Sequence, residues 1–263
     1  MTEIELAFEK LGSGPPLICL HGLYGAGRNW RQIARALSSD FGIYLPDARN
    51  HGKSPWTEAI SYPLMAKDLF NFMQRQGLEK PILLGHSMGG KTVMQFAFDY
   101  PQEAAGLIIV DVAARAYESE FHGHLLQSLL RLNLQTLSSR QEAEFLLESA
   151  VPDRGVRQFL LSSLQREDTN WRWKMNLSGL LKDLPKIMGA VPLPVHALSK
   201  EIPVLVMAGA LSSYIQASDQ LDFQQRFETF ESIQIPGSGH WLHVEQPKLF
   251  LSELKIFLKR WFM

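Results

Sequence analysis

The sequence has one cysteine, no long hydrophobic run and no cluster of basic residues. Cys19, being alone, cannot form an internal disulfide, which favours a reducing compartment over a disulfide-stabilised secreted scaffold. The longest stretch without a formal charge, residues 11–27, is broken by glycines and prolines, and its apolar part is far shorter than the roughly 20 residues of a membrane-spanning helix. The first ten residues carry charges where a signal peptide needs an apolar core. We therefore expect a cytoplasmic protein without stable membrane association.

The charge balance is close to neutral, with 26 Lys and Arg against 27 Asp and Glu, so the sequence shows no electrostatic footprint of a nucleic-acid-binding protein. Hydrophobic residues make up 46% of the chain, which is typical of a globular protein and excludes disordered and fibrous classes. A length of 263 residues suits one large domain with an insertion.

Short apolar runs alternate with segments of helical periodicity. The predicted strands are residues 16–20, 41–45, 81–84, 106–110, 202–207 and 232–235. The predicted helices are residues 29–38, 62–76, 88–100 and 247–261, with a further helix between the last two strands. This alternation predicts an α/β fold, with a mostly parallel, doubly wound sheet that has helices on both faces.

Residues 113–200 interrupt the alternation. Helical patterns recur there at 125–134, 141–149 and 156–164, no convincing strand is present, and prolines mark the exit. We therefore predict a core formed by residues 1–112 and 201–263, with residues 113–200 inserted as a helical subdomain.

A nucleophile motif lies between a predicted strand and a predicted helix. Residues 85–89 read Gly-His-Ser-Met-Gly, and this G-x-S-x-G pattern holds a serine on a sharp, strained turn only in that strand-to-helix context. The alternative that Ser87 is merely a helix cap leaves the flanking glycines unexplained. A phosphate-binding loop fails on glycine spacing. Ser87 is the predicted nucleophile.

A serine nucleophile needs a base, and the loop after the last strand supplies one. His240 follows a Gly-Ser-Gly run there, at the sheet edge where Ser87 is expected. His243 is the rival, but its position favours packing at the start of the final helix. His240 is the predicted base.

The acid that orients this base is predicted from strand ends. In the order Ser–acid–His the acid commonly follows the strand after the insertion, but no carboxylate occurs there before Asp219. The strand at 106–110, in contrast, runs directly into Asp111. We predict Asp111, with Asp219 as the alternative.

Backbone N–H groups are expected to bind the oxyanion. The first parallel strand runs into His21 and Gly22, and the next residue, Leu23, is placed to offer its N–H beside that of Met88. His21 and Gly22 are then scaffold residues.

Together these motifs resemble the α/β-hydrolase superfamily, and within it the small bacterial esterases of the YbfF type and their eukaryotic abhydrolase-domain relatives. The resemblance is carried by His-Gly at 21–22, Asp-Ala-Arg-Asn-His-Gly-Lys-Ser at 47–54, Gly-His-Ser-Met-Gly-Gly-Lys at 85–91, Val-Asp at 110–111, Trp-Arg-Trp at 171–173 and Gly-His-Trp at 239–241. In such esterases the acid also follows the earlier strand, which agrees with Asp111. Residues 210–213, Ala-Leu-Ser-Ser, depart from the Gly-Asn-Ser that this group tends to show.

The resemblance also implies that residues 113–200 form a cap over the active site and line an apolar acyl pocket. The candidate substrate-binding residues are Tyr24, Trp173, Leu177, Tyr214 and Trp241, although each can equally be a packing residue.

Other chemistry-bearing residues receive structural interpretations. His122 and His124 could suggest a metal site, but two histidines at i and i+2 on a helix point apart, which favours a solvated face. Lys91 and Arg49 are interpreted as structural or solvent-facing. No metal or organic cofactor is implied.

The predicted function is hydrolysis of a small-molecule carboxylic ester or thioester through an acyl-enzyme. Hydrolysis of a C–C bond, acyl transfer or a lyase step at the same site remain alternatives, because Arg115, Arg154 and Arg172 could bind a carboxylate or an enolate. Dehalogenases and epoxide hydrolases are disfavoured because they would place Asp at position 87. A non-catalytic binding protein would be expected to lack part of the triad.

Overall fold

In the computed structural model, which describes residues 3–168 and 170–263, strands and helices alternate along most of the chain. The strands are β1 (Phe8–Leu11), β2 (Pro16–Leu20), β3 (Gly42–Pro46), β4 (Ile82–His86), β5 (Gly106–Val110), β6 (Leu164–Glu167), β7 (Asn170–Trp173), β8 (Val204–Gly209) and β9 (Glu231–Ile235). The helices are α1 (Arg31–Leu37), α2 (Tyr62–Gln76), α3 (Met88–Asp99), α4 (Glu120–Leu130), α5 (Arg140–Leu146), α6 (Arg154–Leu161), α7 (Leu177–Lys182), α8 (Leu184–Met188), α9 (Asp219–Arg226), α10 (Leu242–Glu245) and α11 (Pro247–Phe262). A turn of 3-10 helix, Gly27–Trp30, leads into α1.

Seven strands form the main sheet, in the order β1-β3-β2-β4-β5-β8-β9. The edge strand β1 pairs antiparallel with β3, and the other neighbouring pairs are parallel. The loops that follow the parallel strands therefore open on one edge of the sheet, where ligands bind in open α/β folds. Ser87 follows β4, Asp111 follows β5 and His240 follows β9, so all three candidate catalytic residues lie at this edge.

Both faces of the sheet are buried along its inner strands, because successive side chains of these strands enter different hydrophobic layers. In β2, Leu17 and Cys19 pack in the layer that contains α1 and α11, whereas Ile18 and Leu20 pack in the layer that contains α2 and α3. Burying one large aliphatic side chain stabilises the fold by about 1.5–3 kcal/mol. Cys19 is a packing residue in this arrangement, and burial raises the pKa of its thiol.

The predicted α/β class with a mostly parallel, doubly wound sheet is confirmed. The prediction that residues 113–200 contain no strand is wrong: β6 and β7 form an antiparallel hairpin in which Leu164 lies opposite Trp173. Helices α4 to α8 surround this hairpin in the sequence, and together these elements make up the insertion, residues 113–200. The edge strand β1 was not predicted either.

Within residues 3–168 and 170–263, the longest helices fall short of the length and apolar character that crossing a bilayer requires.

Candidate active site

Ser87 lies on a sharp turn between β4 and α3. Its backbone has φ 53° and ψ −118°, a conformation that L-residues rarely adopt, and helix α3 starts at the next residue, Met88. The Ser87 N–H donates a hydrogen bond to the Val110 carbonyl at 3.0 Å, which fixes the turn against the end of β5. Strained backbone of this kind is characteristic of functional sites, and the strained strand-to-helix turn predicted from the motif is present.

The turn requires glycine because two segments of backbone cross there. A Cβ atom at Gly85 would lie 2.2 Å from the carbonyl oxygen of Gly89, and one at Gly89 would lie 2.6 Å from that of Leu20. These distances are far below van der Waals contact, so both glycines of the motif are needed for close approach.

His240 and Asp111 are in direct contact. His240 Nδ1 lies 2.7 Å from Asp111 Oδ2, and Asp111 is fully buried. Because the carboxylate accepts, Nδ1 carries the hydrogen and Nε2 is left as the basic nitrogen of a neutral ring. Two further donors reach the carboxylate: the Gly209 N–H contacts Oδ1 at 2.9 Å, and the Ser212 hydroxyl contacts Oδ2.

Two aromatic rings hold the imidazole of His240. The Tyr214 ring stacks on it with a centroid distance of 3.8 Å and an interplanar angle of 17°. The His86 ring lies 4.6 Å from it between centroids, and His86 Nε2 donates a hydrogen bond to the His240 backbone carbonyl at 2.8 Å. Ser87 and His240 line the same cavity, and the described residues include no direct hydrogen bond between their side chains. Such bonds are often loose before substrate binds.

The rival acid and the rival base have other partners. Asp219 accepts a hydrogen bond from Arg115 Nε at 3.0 Å and another from the Gln216 N–H at 2.8 Å, at the start of α9. His243 stacks on Trp30 at 4.4 Å, and burial lowers its pKa to about 3, which keeps the ring neutral. It also lines the cavity, but the carboxylate of Asp111 contacts His240 instead.

The loop after β2 lies against the nucleophile. A Cβ atom at Gly22 would be 3.2 Å from the Cβ of Ser87, so Leu23, the next residue, is close to the elbow. His21 fixes this loop: its Nδ1 donates to the Gly22 carbonyl at 2.8 Å and its Nε2 accepts from the Ala48 N–H at 3.0 Å. Both ring nitrogens are therefore used in structural hydrogen bonds.

A cavity of about 250 Å³ lies above Ser87. The sheet edge supplies Ser87, Leu23 and Met88, while α4, α6 and α8 of the insertion supply most of the apolar wall. The insertion residues on this wall include Phe121, Leu125, Val156, Phe159, Leu160, Ile187 and Met188. The space therefore lies between the nucleophile elbow and the insertion.

Three of the five candidate substrate-binding residues line this cavity, namely Tyr24, Tyr214 and Trp241. Trp173 and Leu177 do not, contrary to the prediction. Both are buried in the hydrophobic core, where Trp173 faces the interior from β7 and Leu177 begins α7. Their side chains point into the packing of the insertion instead of toward Ser87.

The sequence interpretation of His122 as part of a solvated face is wrong. This residue lines the cavity, its Nδ1 lies 3.0 Å from the Tyr24 hydroxyl, and its Nε2 lies 3.5 Å from the Tyr214 hydroxyl. Burial lowers the pKa of His122 to about 4, so the ring is neutral near pH 7. His124 is exposed, as expected. A single histidine in a helical pattern gives no sequence signal for such contacts.

Lys91 also lines the cavity wall, although the sequence suggested only a structural or surface position. The side chain is 1% exposed, and its Nζ donates to the carbonyls of Arg115 and Gly189, both at 2.6 Å. Those carbonyls lie near the two ends of the insertion. The role is therefore structural, but the residue is buried and contacts the insertion directly.

The three arginines that kept other reactions open each pair with an acid. Arg115 contacts Asp219, Arg154 contacts Glu144 and Arg172 contacts Glu167, at 3.0, 3.1 and 2.7 Å. None of the three is among the cavity-lining residues.

Across the part of the chain that the structure describes, His, Cys, Asp and Glu side chains form no group of three that could hold a metal ion.

Comparison with known proteins places these observations in a family. A family model described as alpha/beta hydrolase fold matches residues 15–247. The chain is 33% identical over 260 residues to the sn-1-specific diacylglycerol lipase ABHD11 of Danio rerio, covering 96% of this chain and 81% of that protein. It is 30% identical over 243 residues to esterase YbfF of Escherichia coli, covering 92% of each. The solved structure of a marine microorganism esterase superposes with a TM-score of 0.93 at 38% identity, covering 97% of this chain and 100% of that one.

Proposed function

The chain belongs to the alpha/beta-hydrolase family and is an ester hydrolase of the esterase and lipase type, and from that premise we propose that Ser87, His240 and Asp111 are its nucleophile, base and orienting acid. The observation that carries the proposal is the 2.7 Å contact between His240 Nδ1 and the buried Asp111 carboxylate, at the edge of the cavity that contains Ser87. It leaves His240 Nε2 free to take a proton in that cavity.

Acylation follows from these positions. Ser87 Oγ attacks the acyl carbonyl while His240 Nε2 takes its proton, and a tetrahedral oxyanion forms. The backbone N–H groups of Leu23 and Met88 are proposed to bind this oxyanion, since Leu23 lies in the loop packed against Ser87 and Met88 starts α3. Collapse of the intermediate expels the alkoxide or thiolate, which leaves with the proton held by His240.

Deacylation repeats the step with water. His240 Nε2 takes a proton from a water molecule that attacks the acyl-serine carbonyl, and the second tetrahedral intermediate collapses to release the carboxylic acid and return the proton to Ser87 Oγ. Asp111 stays ionised and stabilises the imidazolium in both half-reactions.

We propose that residues 113–200 act as a cap over this site, on a core formed by residues 1–112 and 201–263. Support comes from the cavity wall, since Leu125 of α4, Leu160 of α6 and Ile187 of α8 line it opposite Ser87. An apolar wall of this kind suits the acyl chain of an ester or thioester and limits the access of water to the acyl-enzyme. The relatives named diacylglycerol lipase and esterase are consistent with such substrates.

The test is hydrolysis of p-nitrophenyl esters with acyl chains from acetyl to palmitoyl. Ser87→Ala should lower kcat by about 10³-fold or more, because the covalent route is lost. Ser178→Ala, an exposed position on α7, is the matched control and should retain wild-type turnover. The chain-length optimum of the wild type measures the depth of the acyl pocket.

Labelling with a fluorophosphonate probe separates the possible failures. Labelling of the wild type and not of Ser87→Ala supports an activated serine. Ester turnover that persists in Ser87→Ala would overturn Ser87 as the nucleophile.

A further inference from the structure

Three polar side chains from different elements form a chain across the candidate site. Tyr24 comes from the loop that follows β2, His122 from α4 of the insertion, and Tyr214 from the loop after β8. The Tyr24 hydroxyl lies 3.0 Å from His122 Nδ1, and the Tyr214 hydroxyl lies 3.5 Å from His122 Nε2. All three residues line the cavity above Ser87. These three side chains thus connect the loop after β2 to the Tyr214 ring, which is stacked on His240.

The three side chains together have one hydrogen-bond donor more than their mutual contacts use. Each phenol has one O–H, and the imidazole of His122, which its lowered pKa of about 4 keeps neutral, has one N–H. These three hydrogens serve only two contacts. Within residues 3–168 and 170–263, neither hydroxyl has another hydrogen-bonding partner. One O–H at an end of the chain is therefore left for a ligand.

The distances indicate which of the two hydroxyls donates its hydrogen to His122. A phenol is a more acidic donor than a neutral imidazole N–H, and an imidazole nitrogen is a stronger base than a phenol oxygen, so the better bond has O–H as donor and nitrogen as acceptor. Only one nitrogen of neutral His122 can accept. The shorter contact, from Tyr24 to Nδ1 at 3.0 Å, takes it, and the hydrogen on Nε2 then faces the Tyr214 oxygen. The O–H of Tyr214 stays free.

The position of Tyr214 indicates what this hydroxyl meets. Its ring lies 3.8 Å from that of His240, the residue proposed to deliver a proton to the leaving alcohol, so its hydroxyl is close to the side of the site where the alcohol portion leaves. Burial and the charge of Asp111 raise the pKa of Tyr214, so the phenol keeps its hydrogen.

We propose that Tyr214 is a specificity residue that donates a hydrogen bond to a second oxygen in the alcohol portion of the ester. The inference rests on the proposed function. It predicts a preference for alcohol portions that carry an acceptor oxygen over purely alkyl ones, because a bound alkyl group would displace water from the Tyr214 hydroxyl and leave it without an acceptor.

The test compares methoxyethyl butyrate with n-butyl butyrate, which have nearly the same size and differ by one ether oxygen. For each protein, kcat/KM for methoxyethyl butyrate is divided by kcat/KM for n-butyl butyrate. When this ratio is compared between proteins, general losses of activity and the intrinsic reactivities of the two esters cancel. Tyr214→Phe keeps the ring stacked on His240 and removes only the hydroxyl. We expect this variant to lower the ratio about five- to tenfold relative to the wild type, as loss of one neutral hydrogen bond implies.

Tyr62→Phe is the matched control. It makes the same chemical change in the same cavity, but the Tyr62 hydroxyl is already donated to the Ile187 carbonyl, so the ratio should stay at the wild-type value. A second pair, ethyl methoxypropanoate and ethyl pentanoate, carries the oxygen on the acyl side. A ratio that falls in Tyr214→Phe only for this pair would overturn the assignment to the alcohol portion.

The outcomes also separate the two proposals. If the wild type hydrolyses both butyrates and Tyr214→Phe leaves the ratio unchanged, ester hydrolysis stands and the role of Tyr214 is refuted. If the wild type hydrolyses neither these nor p-nitrophenyl esters, the proposed function itself fails.

Discussion

Ser212 and His240 donate hydrogen bonds to the same oxygen, Oδ2, of Asp111. The second oxygen of the carboxylate accepts from the Gly209 N–H at 2.9 Å, at a point where a Cβ on Gly209 would lie only 2.1 Å from the Gly239 carbonyl oxygen. A fully buried carboxylate needs such partners, because desolvation otherwise makes its charge costly. The end of β8 therefore orients the carboxylate that is proposed to orient the base.

Replacing Ser212 with alanine should lower kcat/KM about 10–100-fold, because a hydrogen bond to a buried charge is lost and the carboxylate can rotate away from His240. Ser212→Thr keeps the hydroxyl and should recover most of the activity. Ser213→Ala, at the exposed neighbouring position, is the control. Rates on p-nitrophenyl butyrate, with circular dichroism to check folding, measure the effect. Equal rates for Ser212→Ala and Ser213→Ala would contradict this role.

Asp111→Asn should lower kcat by about 10³–10⁴-fold, because an amide can present its NH₂ group to His240 and favour the wrong tautomer. Asp219→Asn should leave kcat within about twofold and cost about 1–3 kcal/mol of stability, since the asparagine can still accept a hydrogen bond but the buried charge that pairs with Arg115 is lost. Single-turnover rates and urea unfolding of both variants test the assignment. A larger loss of kcat in Asp219→Asn than in Asp111→Asn would identify Asp219 as the acid instead.

The buried parallel strands were predictable because their signals are local. Apolar runs bounded by Gly, Pro or His-Gly placed β2 and β5 at their observed bounds, and β3, β4, β8 and β9 within one or two residues. The strands β1 and β6 were not predictable, since their sequences, Phe-Glu-Lys-Leu and Leu-Gln-Arg-Glu, place polar or charged residues at consecutive positions and so show neither an apolar run nor a period of two. Their pairing depends on partners that lie far away or across a turn.

The candidate site was predictable to the extent that strand ends determine it. Asp111 could be chosen because a carboxylate directly follows a buried strand next to that of Ser87, and the structure puts it against His240. Ser212 could not, because a loop hydroxyl gains its partner only when the loop folds back on β5. Trp173 was misassigned for the same reason, since the direction of a side chain in the insertion depends on tertiary packing.

Lys91→Met should destabilise the protein more at high pH than at low pH. Burial, with smaller contributions from Arg115 and Arg226, lowers the pKa of Lys91 from its ordinary value near 10.5 to about 7. Between pH 7 and pH 10 the unfolded chain therefore binds more protons than the folded one, so this lysine makes the free energy of unfolding rise with pH. The methionine variant lacks that rise.

Urea unfolding at pH 7 and pH 9 measures this difference. The stability gap between wild type and Lys91→Met should widen by about 1–3 kcal/mol over those two pH units. Lys67→Met, at an exposed position on α2, should show no such change. A gap that narrows with pH would mean that the buried ammonium is better stabilised than the amine, in conflict with the lowered pKa.

Arg49 and Asp68 form a buried bidentate ion pair, and breaking it from one side should cost about 3–5 kcal/mol. The two contacts are 2.6 Å from Nε to Oδ2 and 2.7 Å from Nη2 to Oδ1. Burial raises the pKa of Asp68, and the hydrogen bonds from Arg49 oppose that effect. In Arg49→Met the carboxylate is left unpaired, so part of the loss should be regained as the pH falls and Asp68 takes a proton.

The double variant Arg49→Met/Asp68→Leu removes both charges and should recover at least half of the loss, since an apolar pair leaves no unpaired group. Arg31→Met is the control, because it breaks an exposed pair with Glu9 that should contribute at most about 1 kcal/mol. Urea unfolding at pH 7 and pH 5 compares the variants. If Arg49→Met and Arg31→Met lower the free energy of unfolding by the same amount, burial does not strengthen the pair of Arg49 and Asp68. A double variant less stable than Arg49→Met alone would show that the cost comes from lost packing and not from an uncompensated charge.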